Sequence, residues 1–186
     1  MSLSPDTTHT HGKRVTTLLE AVHPLDPLNA SEIDRAREIL VEAGHLTGQV
    51  RVASLLPVDP PKETTAKWKA GDPLDRRVLA ALLDRATGNA AEAVVAITRG
   101  VIDEYRPLNT ASEPYGQPQI LEEEYTGMDE IVKSSPEWRA AMKRRGLEDQ
   151  IDTCYCTPLA PGFFPGREDE VGQRVVRSLT YLIPNP

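Results

Sequence analysis

The sequence predicts an α+β protein in which a helix followed by antiparallel strands occurs twice. Two observations predict this class. A capped amphipathic helix precedes four β-rich runs, and a second helical region precedes two more. The connections between the runs are mostly short, which favours antiparallel neighbours because a parallel pair needs a long crossover. With 186 residues, 39% of them hydrophobic, the chain is long enough for two small cores.

The first predicted helix begins just after two prolines. Asn29 is a favourable N-cap, and Glu32 three residues later completes a capping box. Gly44 can end the helix in the left-handed conformation. The apolar positions recur on one face and are Ile33, Ala36, Ile39, Leu40 and Ala43. This face needs a partner surface, and the sheet that follows is the expected one.

Four strands are predicted after this helix, at residues 50–58, 77–83, 93–98 and 101–105. Turns containing Gly88 and Gly100 separate the last three strands. The proline- and lysine-rich stretch 57–73 is predicted as a long exposed connection. A helix laid across a four-stranded antiparallel sheet is the expected first domain, over residues 15–106.

The remaining segments divide into a tail, a linker and a second domain. Residues 1–14 are polar without periodicity and are predicted to be a disordered tail, and residues 107–118 hold three prolines and are predicted to be a linker. The second domain, residues 119–186, should contain two helices, over 120–132 and from Ser135 to about Gly146. Two strands are predicted to follow, at residues 151–157 and 174–183. With two strands instead of four, this domain is expected to be incomplete, with an uncovered strand edge.

Composition excludes several classes of partner. The net charge is -7 and the basic residues are interspersed with acidic ones, so neither nucleic acid nor an anionic membrane is an expected partner. No apolar run reaches the length of a membrane span, and the first residues do not resemble a secretion signal. A cytoplasmic location is the expectation by default.

No assembled catalytic or metal-binding motif is visible. His23 precedes a proline and is expected to hydrogen-bond locally in a turn, whereas His45 follows the helix stop and is expected to be exposed. Cys154 and Cys156 lie two residues apart, which favours strand positions over a disulfide or half of a metal site. We therefore predict no catalytic residue and no metal ligand in this chain.

Two segments carry a resemblance to a known family. The first is His23-Pro24-Leu25-Asp26-Pro27-Leu28 together with the capped helix after it. The second is the pair formed by residues 120–125 and 157–164. Both resemble parts of the N-terminal region of copper amine oxidases. The resemblance implies two small peripheral, cystatin-like α+β domains, each with a helix packed on an antiparallel sheet and the second one truncated. Their order and their separation by roughly a hundred residues support it.

The resemblance also implies a function. Family members oxidise primary amines to aldehyde, ammonia and hydrogen peroxide with copper and topaquinone, both held by a catalytic domain that this chain does not contain. The chain alone is therefore expected to be inactive and to have that catalytic domain as its partner, in an enzyme that is a homodimer in the family. Tyr125, Pro158 and Leu159 match positions on the wall of the funnel that admits the amine.

Alternatives remain at this stage. The three wall residues could simply pack within their own domain. The whole chain could be a free-standing cystatin-like module that binds a peptide or small ligand, because fold alone does not determine function. A third possibility is a small enzyme in its own right.

Overall fold

The computed structural model describes residues 23–108, 116–162 and 166–183. The predicted tail, most of the predicted linker and the Phe163-Phe164 pair lie outside the described residues. The helices are α1 (Ala30–Glu42), α2 (Lys62–Lys67), α3 (Glu122–Ser134) and α4 (Pro136–Arg144). The strands are β1 (Val50–Pro57), β2 (Arg77–Asp84), β3 (Ala90–Ala96), β4 (Val101–Leu108), β5 (Cys154–Leu159) and β6 (Arg177–Leu182).

The first domain is a four-stranded antiparallel sheet in the order β1-β2-β3-β4, packed against α1. β1 and β4 are its edge strands, and each pairing with the inner strands contains an irregularity, between Val52 and Ser54 and between Val94 and Val95. A bulge of this kind leaves one residue out of the ladder and increases the local twist. The predicted helix on a four-stranded antiparallel sheet is confirmed.

The core of the first domain lies between α1 and the sheet. Ala36 and Leu40 of α1 are fully buried, and small alanines in the central strands let the helix approach the sheet closely. The buried cluster consists of Ala36, Ile39, Leu40, Val78, Ala80, Leu82, Ala93 and Val95. The apolar face predicted from the helical spacing packs through Ala36, Ile39 and Leu40, whereas Ile33 remains 44% exposed and Ala43, the C-cap, is also exposed.

A buried ion pair closes the N-terminal end of α1. Asn29 accepts a hydrogen bond from the Glu32 backbone N–H, and the Glu32 carboxylate accepts one from Asn29 N–H, so the predicted capping box is present. Arg76 Nε donates to Glu32 Oε1 at 2.7 Å, and the same guanidinium donates to the carbonyl oxygens of Pro24 and Asp26 at 2.9 and 2.8 Å. The Arg76 and Glu32 side chains are only 9% and 10% exposed.

The second domain consists of two helices and a two-stranded antiparallel sheet, β5-β6, among the described residues. Ser135 caps α4 and Pro136 occupies its first turn, as predicted. α3 packs along β5, where Asp129 Oδ1 accepts the Cys156 backbone N–H at 2.9 Å. Because this bond satisfies a donor on the free edge of β5, α3 covers that edge. The predicted α+β class thus holds for both units.

Some element boundaries differ from the prediction. β3 begins at Ala90 instead of residue 93, because its alanines are buried even though alanine has low strand propensity. The strand predicted at residues 151–157 is shifted to Cys154–Leu159, because the acidic segment Glu148–Thr153 forms a 3₁₀ helix. The long connection contains the short helix α2.

β4 also runs to Leu108, two residues into the predicted linker. Its Pro107 is tolerated because β4 is an edge strand, whose outer side needs no N–H donor. None of the helices within the described ranges is both long and apolar enough to cross a bilayer.

Replacing Arg76 with alanine should strongly destabilise the first domain. The change leaves the Glu32 carboxylate buried without its cation, which typically costs about 3–5 kcal/mol of unfolding free energy. Arg77→Ala is the matched control. Its side chain is 31% exposed, and the expected loss is below about 1 kcal/mol. Urea unfolding followed by far-ultraviolet circular dichroism measures both, and equal losses would contradict the role given to the buried pair.

Candidate functional site

Tyr125 lies on the first turn of α3 and is 42% exposed. Its backbone N–H donates to the carbonyl of Leu121 at 2.9 Å, and its hydroxyl is 2.8 Å from Oγ1 of Thr157 on β5. The ring is therefore held at both ends, by the helix start and by the second sheet. Thr157 precedes Pro158 and Leu159, so the structure brings Tyr125 next to the strand segment that carries the other two predicted residues.

Pro158 and Leu159 lie on opposite faces of β5. Pro158 is buried on the same side as Cys154 and Cys156, whereas Leu159 is 45% exposed on the side of Tyr155 and Thr157. Alternation along a strand produces this separation. Tyr125 and Leu159 therefore contribute to an exposed surface, and Pro158 supports it from within the domain.

The exposed surface around Tyr125 includes Tyr155, which the sequence prediction missed. Tyr155 is 41% exposed and lies opposite Tyr181 in the β5-β6 ladder. Partial burial and the neighbouring Tyr125 hydroxyl raise the pKa of Tyr155 above its ordinary value, with smaller contributions from Asp129 and Glu122. Its period-two spacing with Thr157 and Leu159 is the sequence signal that could have identified it.

An ion pair fixes the start of α3 against the segment that leads into β6. Arg174 donates from Nε and Nη2 to the two Glu124 carboxylate oxygens, both at 2.6 Å, and also to the carbonyls of Pro118 and Gln119 at 2.9 and 2.8 Å. Glu124 Oε2 in turn accepts the Leu121 backbone N–H at 2.7 Å. The hydrogen bonds from Arg174 and from the Leu121 backbone hold the pKa of Glu124 below its ordinary value, although burial opposes the shift.

The same helix start contacts the first domain. Leu121 is 7% exposed and lies in a cluster with Leu83 and Ala90. Glu123 Oε1 lies 2.9 Å from Arg85 Nε and 3.5 Å from Arg51 Nε. Glu122, Glu123 and Glu124 occupy the first turn of α3, where any carboxylate interacts favourably with the helix dipole. The structure shows that two of them also have specific arginine partners, which are 38 or more residues away in sequence and carry no local signal.

Asp129 is the other charged group that organises this surface. Burial works against its ionisation, but hydrogen bonds from Lys133 and the Cys156 backbone outweigh that effect and lower the pKa of Asp129. Lys133 Nζ lies 2.8 Å from Asp129 Oδ2. Burial raises the pKa of the Cys154 thiol, so this thiol is not activated as a nucleophile.

The described residues do not fit a copper site. His23 Nδ1 accepts the Leu25 backbone N–H at 3.1 Å, which confirms the predicted local turn. The prediction of an exposed His45 is wrong, because this ring is half-buried and stacks on Tyr105 at a centroid distance of 3.9 Å. Cys154 and Cys156 are free, buried thiols. Across residues 23–108, 116–162 and 166–183, no group of three metal-ligating side chains comes together.

Two family models match the chain. The model described as the AGAO-like N2 domain matches residues 29–105, and the model described as the copper amine oxidase N3 domain matches residues 123–185. The chain belongs to the copper amine oxidase family. The first domain described above is its N2 domain and the second is its N3 domain.

Relatives of this copper amine oxidase chain agree with that assignment. It is 34% identical over 166 residues to histamine oxidase of Arthrobacter globiformis and 32% identical over 165 residues to primary amine oxidase of Arthrobacter sp. (strain P1), in each case over 89% of this chain. It is also 26% identical to N-methylputrescine oxidase 1 of Nicotiana tabacum over 94% of this chain. The chain spans about a quarter of the length of these relatives, between 23% and 26%.

Replacing Glu124 with glutamine should destabilise the N3 domain in a pH-dependent way. The folded-state pKa of Glu124 is lowered, so its ionised form stabilises the fold at neutral pH, and this contribution is lost as the pH falls through that lowered pKa. At pH 7 the variant should lose about 1.5–3 kcal/mol of unfolding free energy. The difference in unfolding free energy between the variant and the unchanged protein should become smaller at pH values below 4.5, the ordinary pKa of glutamate. Urea unfolding at a series of pH values measures this, and a difference independent of pH would contradict it.

Replacing Tyr125 with phenylalanine should lower the pKa of Tyr155. The change removes the neighbouring hydroxyl, one of the causes of the raised pKa, whereas burial remains. The pKa should therefore move part of the way back towards 10.0. Nuclear magnetic resonance titration of ¹³C-labelled tyrosine rings measures the value, and Tyr105→Phe in the N2 domain is the control that should leave it unchanged.

Proposed function

We propose that this chain supplies the N2 and N3 domains of a copper-dependent primary-amine oxidase and that the exposed surface of α3 and β5 forms part of the wall of its substrate funnel. The catalytic domain of the same enzyme is the expected partner, and the whole enzyme would oxidise a primary amine to aldehyde, ammonia and hydrogen peroxide. Domain limits at residues 15–106 and 119–186 and a homodimeric full-length enzyme belong to the same proposal.

One observation carries the funnel role. The Tyr125 hydroxyl lies 2.8 Å from Thr157 Oγ1, which holds an exposed aromatic ring on the face of β5 that also carries the exposed Leu159 side chain two residues further on. An aromatic and an aliphatic group fixed on a surface suit a passage that selects ligands by shape, because ligand clefts are mostly apolar with few polar groups. Pro158 would act from beneath this wall, since it is buried in β5. The aromatic character of the neighbouring Tyr155 supports the same role.

Copper and the quinone would belong to the catalytic domain. His23 and His45 already contact other groups, and within the described ranges neither they nor the two cysteines belong to a group of three metal-ligating side chains. No step of amine oxidation is therefore assigned to a residue of this chain. The contribution proposed for Tyr125 and Leu159 is to bind and orient the amine on its way to the reacting centre.

The funnel role can be tested in a chimeric enzyme. The chain would replace the matched region of the histamine oxidase of Arthrobacter globiformis, and peroxide release would be measured with tyramine and with methylamine. Tyr125→Ala should change kcat/KM for tyramine about three- to tenfold, because one wall contact is lost, and change that for methylamine less than about twofold.

Tyr105→Ala is the matched control for this experiment, because Tyr105 and Tyr125 are both tyrosines that are 42% exposed. If both substitutions alter the tyramine reaction equally, or if neither does, the funnel role is wrong. A chimera that releases no peroxide with either amine would count against the placement of this chain in such an enzyme.

The purified 186-residue chain should release no peroxide from tyramine or phenylethylamine when copper is added. The physical reason is that the described residues bring no three metal-ligating side chains together. A coupled peroxidase assay measures this, with the Arthrobacter histamine oxidase as the positive control. Turnover by the isolated chain would show a small enzyme in its own right.

A further inference from the structure

Among the described residues, a short stretch of chain, residues 119–125, which we name the joint segment, connects the N3 domain to the N2 domain. Three kinds of contact connect it to the N2 domain. The Leu121 side chain inserts beside Leu83 and Ala90, the Glu123 carboxylate faces two arginines, and Gln119 Nε2 donates to the Ala53 carbonyl at 2.7 Å. These are an apolar contact, an ionic contact and a hydrogen bond on one surface patch.

The N2 side of this contact is built from neighbouring strands. Arg51 lies on β1, where its Nη1 donates to the Gly48 carbonyl at 2.9 Å, and Arg85 follows β2 directly, with its backbone N–H donating to the Gln49 carbonyl at 3.1 Å. Both arginines therefore lie at the same end of the sheet, where Val50 pairs with Asp84. Ala53 lies at the register shift of β1, so its carbonyl is free to accept a bond from Gln119 instead of the ladder.

The N3 side of the joint segment leads directly to Tyr125. The Leu121 carbonyl accepts the backbone N–H groups of Glu124 and Tyr125 at 3.0 and 2.9 Å, and Arg174 holds the Glu124 carboxylate. In this single helical turn, Leu121 and Glu123 thus contact the N2 domain, whereas Glu124 and Tyr125 contact the N3 domain. Any movement of Leu121 or Glu123 on the N2 sheet shifts the backbone that carries the Tyr125 ring.

We infer that the N2 domain positions Tyr125 through the joint segment, with Leu121, Glu123, Arg51 and Arg85 as positioning residues for the funnel wall. The inference rests on the proposed function for its meaning in catalysis. The physical link itself depends only on contacts within this chain. Partial exposure of the ionic contact, with Glu123 39% exposed and Arg85 47% exposed, makes it sensitive to ionic strength.

Charge reversal in the 186-residue chain tests the link. Glu123→Arg places a cation against Arg51 and Arg85, which should free the joint segment. The amide of Tyr125 should then exchange with deuterium about five- to tenfold faster. Residual dipolar couplings of the two sheets should fit one common alignment in the unchanged protein and should require two alignments in Glu123→Arg. Circular dichroism confirms that each variant is folded.

Glu122→Arg is the matched control. It makes the same charge change in the same helical turn and so removes the same favourable interaction with the helix dipole, one residue away from the contact with the arginines. Exchange at Tyr125 should change by less than about twofold. The pair Glu123→Arg with Arg85→Glu should restore slow exchange and a common alignment. Equal effects of the two single reversals, or no recovery in the pair, would overturn the inference.

The chimeric oxidase separates this inference from the proposed function. If Tyr125→Ala alters kcat/KM for tyramine and Glu123→Arg does so as well, both stand. If Tyr125→Ala has the effect and Glu123→Arg does not, the funnel role stands and the positioning inference is wrong. If Tyr125→Ala has no effect while exchange at Tyr125 still responds to Glu123→Arg, the funnel role fails and the physical link remains.

Discussion

The guanidinium of Arg76 holds the turn before α1 and the start of α1 against the start of β2 in the N2 domain. It reaches the capping glutamate of α1, the carbonyls of the turn before that helix and, through its own backbone, the start of β2. Removing two charges from water is costly, and here the cost is offset because nearly every donor of the arginine has an acceptor. The same arrangement recurs in the N3 domain, where Arg174 binds the third helical residue of α3 and the carbonyls before it. In each domain, a single arginine therefore fixes three parts. These are the start of the helix, the proline-containing segment before that helix, and the segment that leads into one strand.

This arrangement determines where the functional surface lies. Because Arg174 and the Leu121 backbone fix Glu124, the next residue of α3 can project its ring over β5 without losing helical geometry. Because side chains alternate along a strand, the cysteines and Pro158 of β5 point into the domain, whereas Leu159 points outward. The exposed apolar surface is thus a consequence of a well-anchored helix and an ordinary strand. It requires no strained backbone, since every described residue with a positive φ is glycine.

Local patterns were sufficient to predict most of the fold. The capping box at Asn29, the proline at the start of α4 and the β-rich runs predicted elements that the structure contains, because caps and periodicity act over a few residues. Tyr125 and Leu159 were named through family resemblance and not through their chemistry. The contacts that hold Tyr125 in place, between its hydroxyl and Thr157 and between the neighbouring Glu124 and Arg174, were missed because they join residues 32 and 50 apart. Local propensity also failed for the alanines of β3, whose strand is imposed by packing.

The two arginine–glutamate ion pairs, Arg76–Glu32 and Arg174–Glu124, also affect how the chain folds. Arg76 and Glu32 are 44 residues apart, and Arg174 and Glu124 are 50 residues apart. The entropic cost of closing a flexible loop grows only with the logarithm of its length, so the two closures cost nearly the same. Each is a contact of high sequence separation, which slows folding relative to a helical bundle of similar size. During synthesis, the Glu32 carboxylate at the start of α1 lacks its arginine partner until Arg76 has left the ribosome. Closure of the whole N2 domain also requires β4, which ends at Leu108 and precedes Arg174 of the N3 domain by 66 residues.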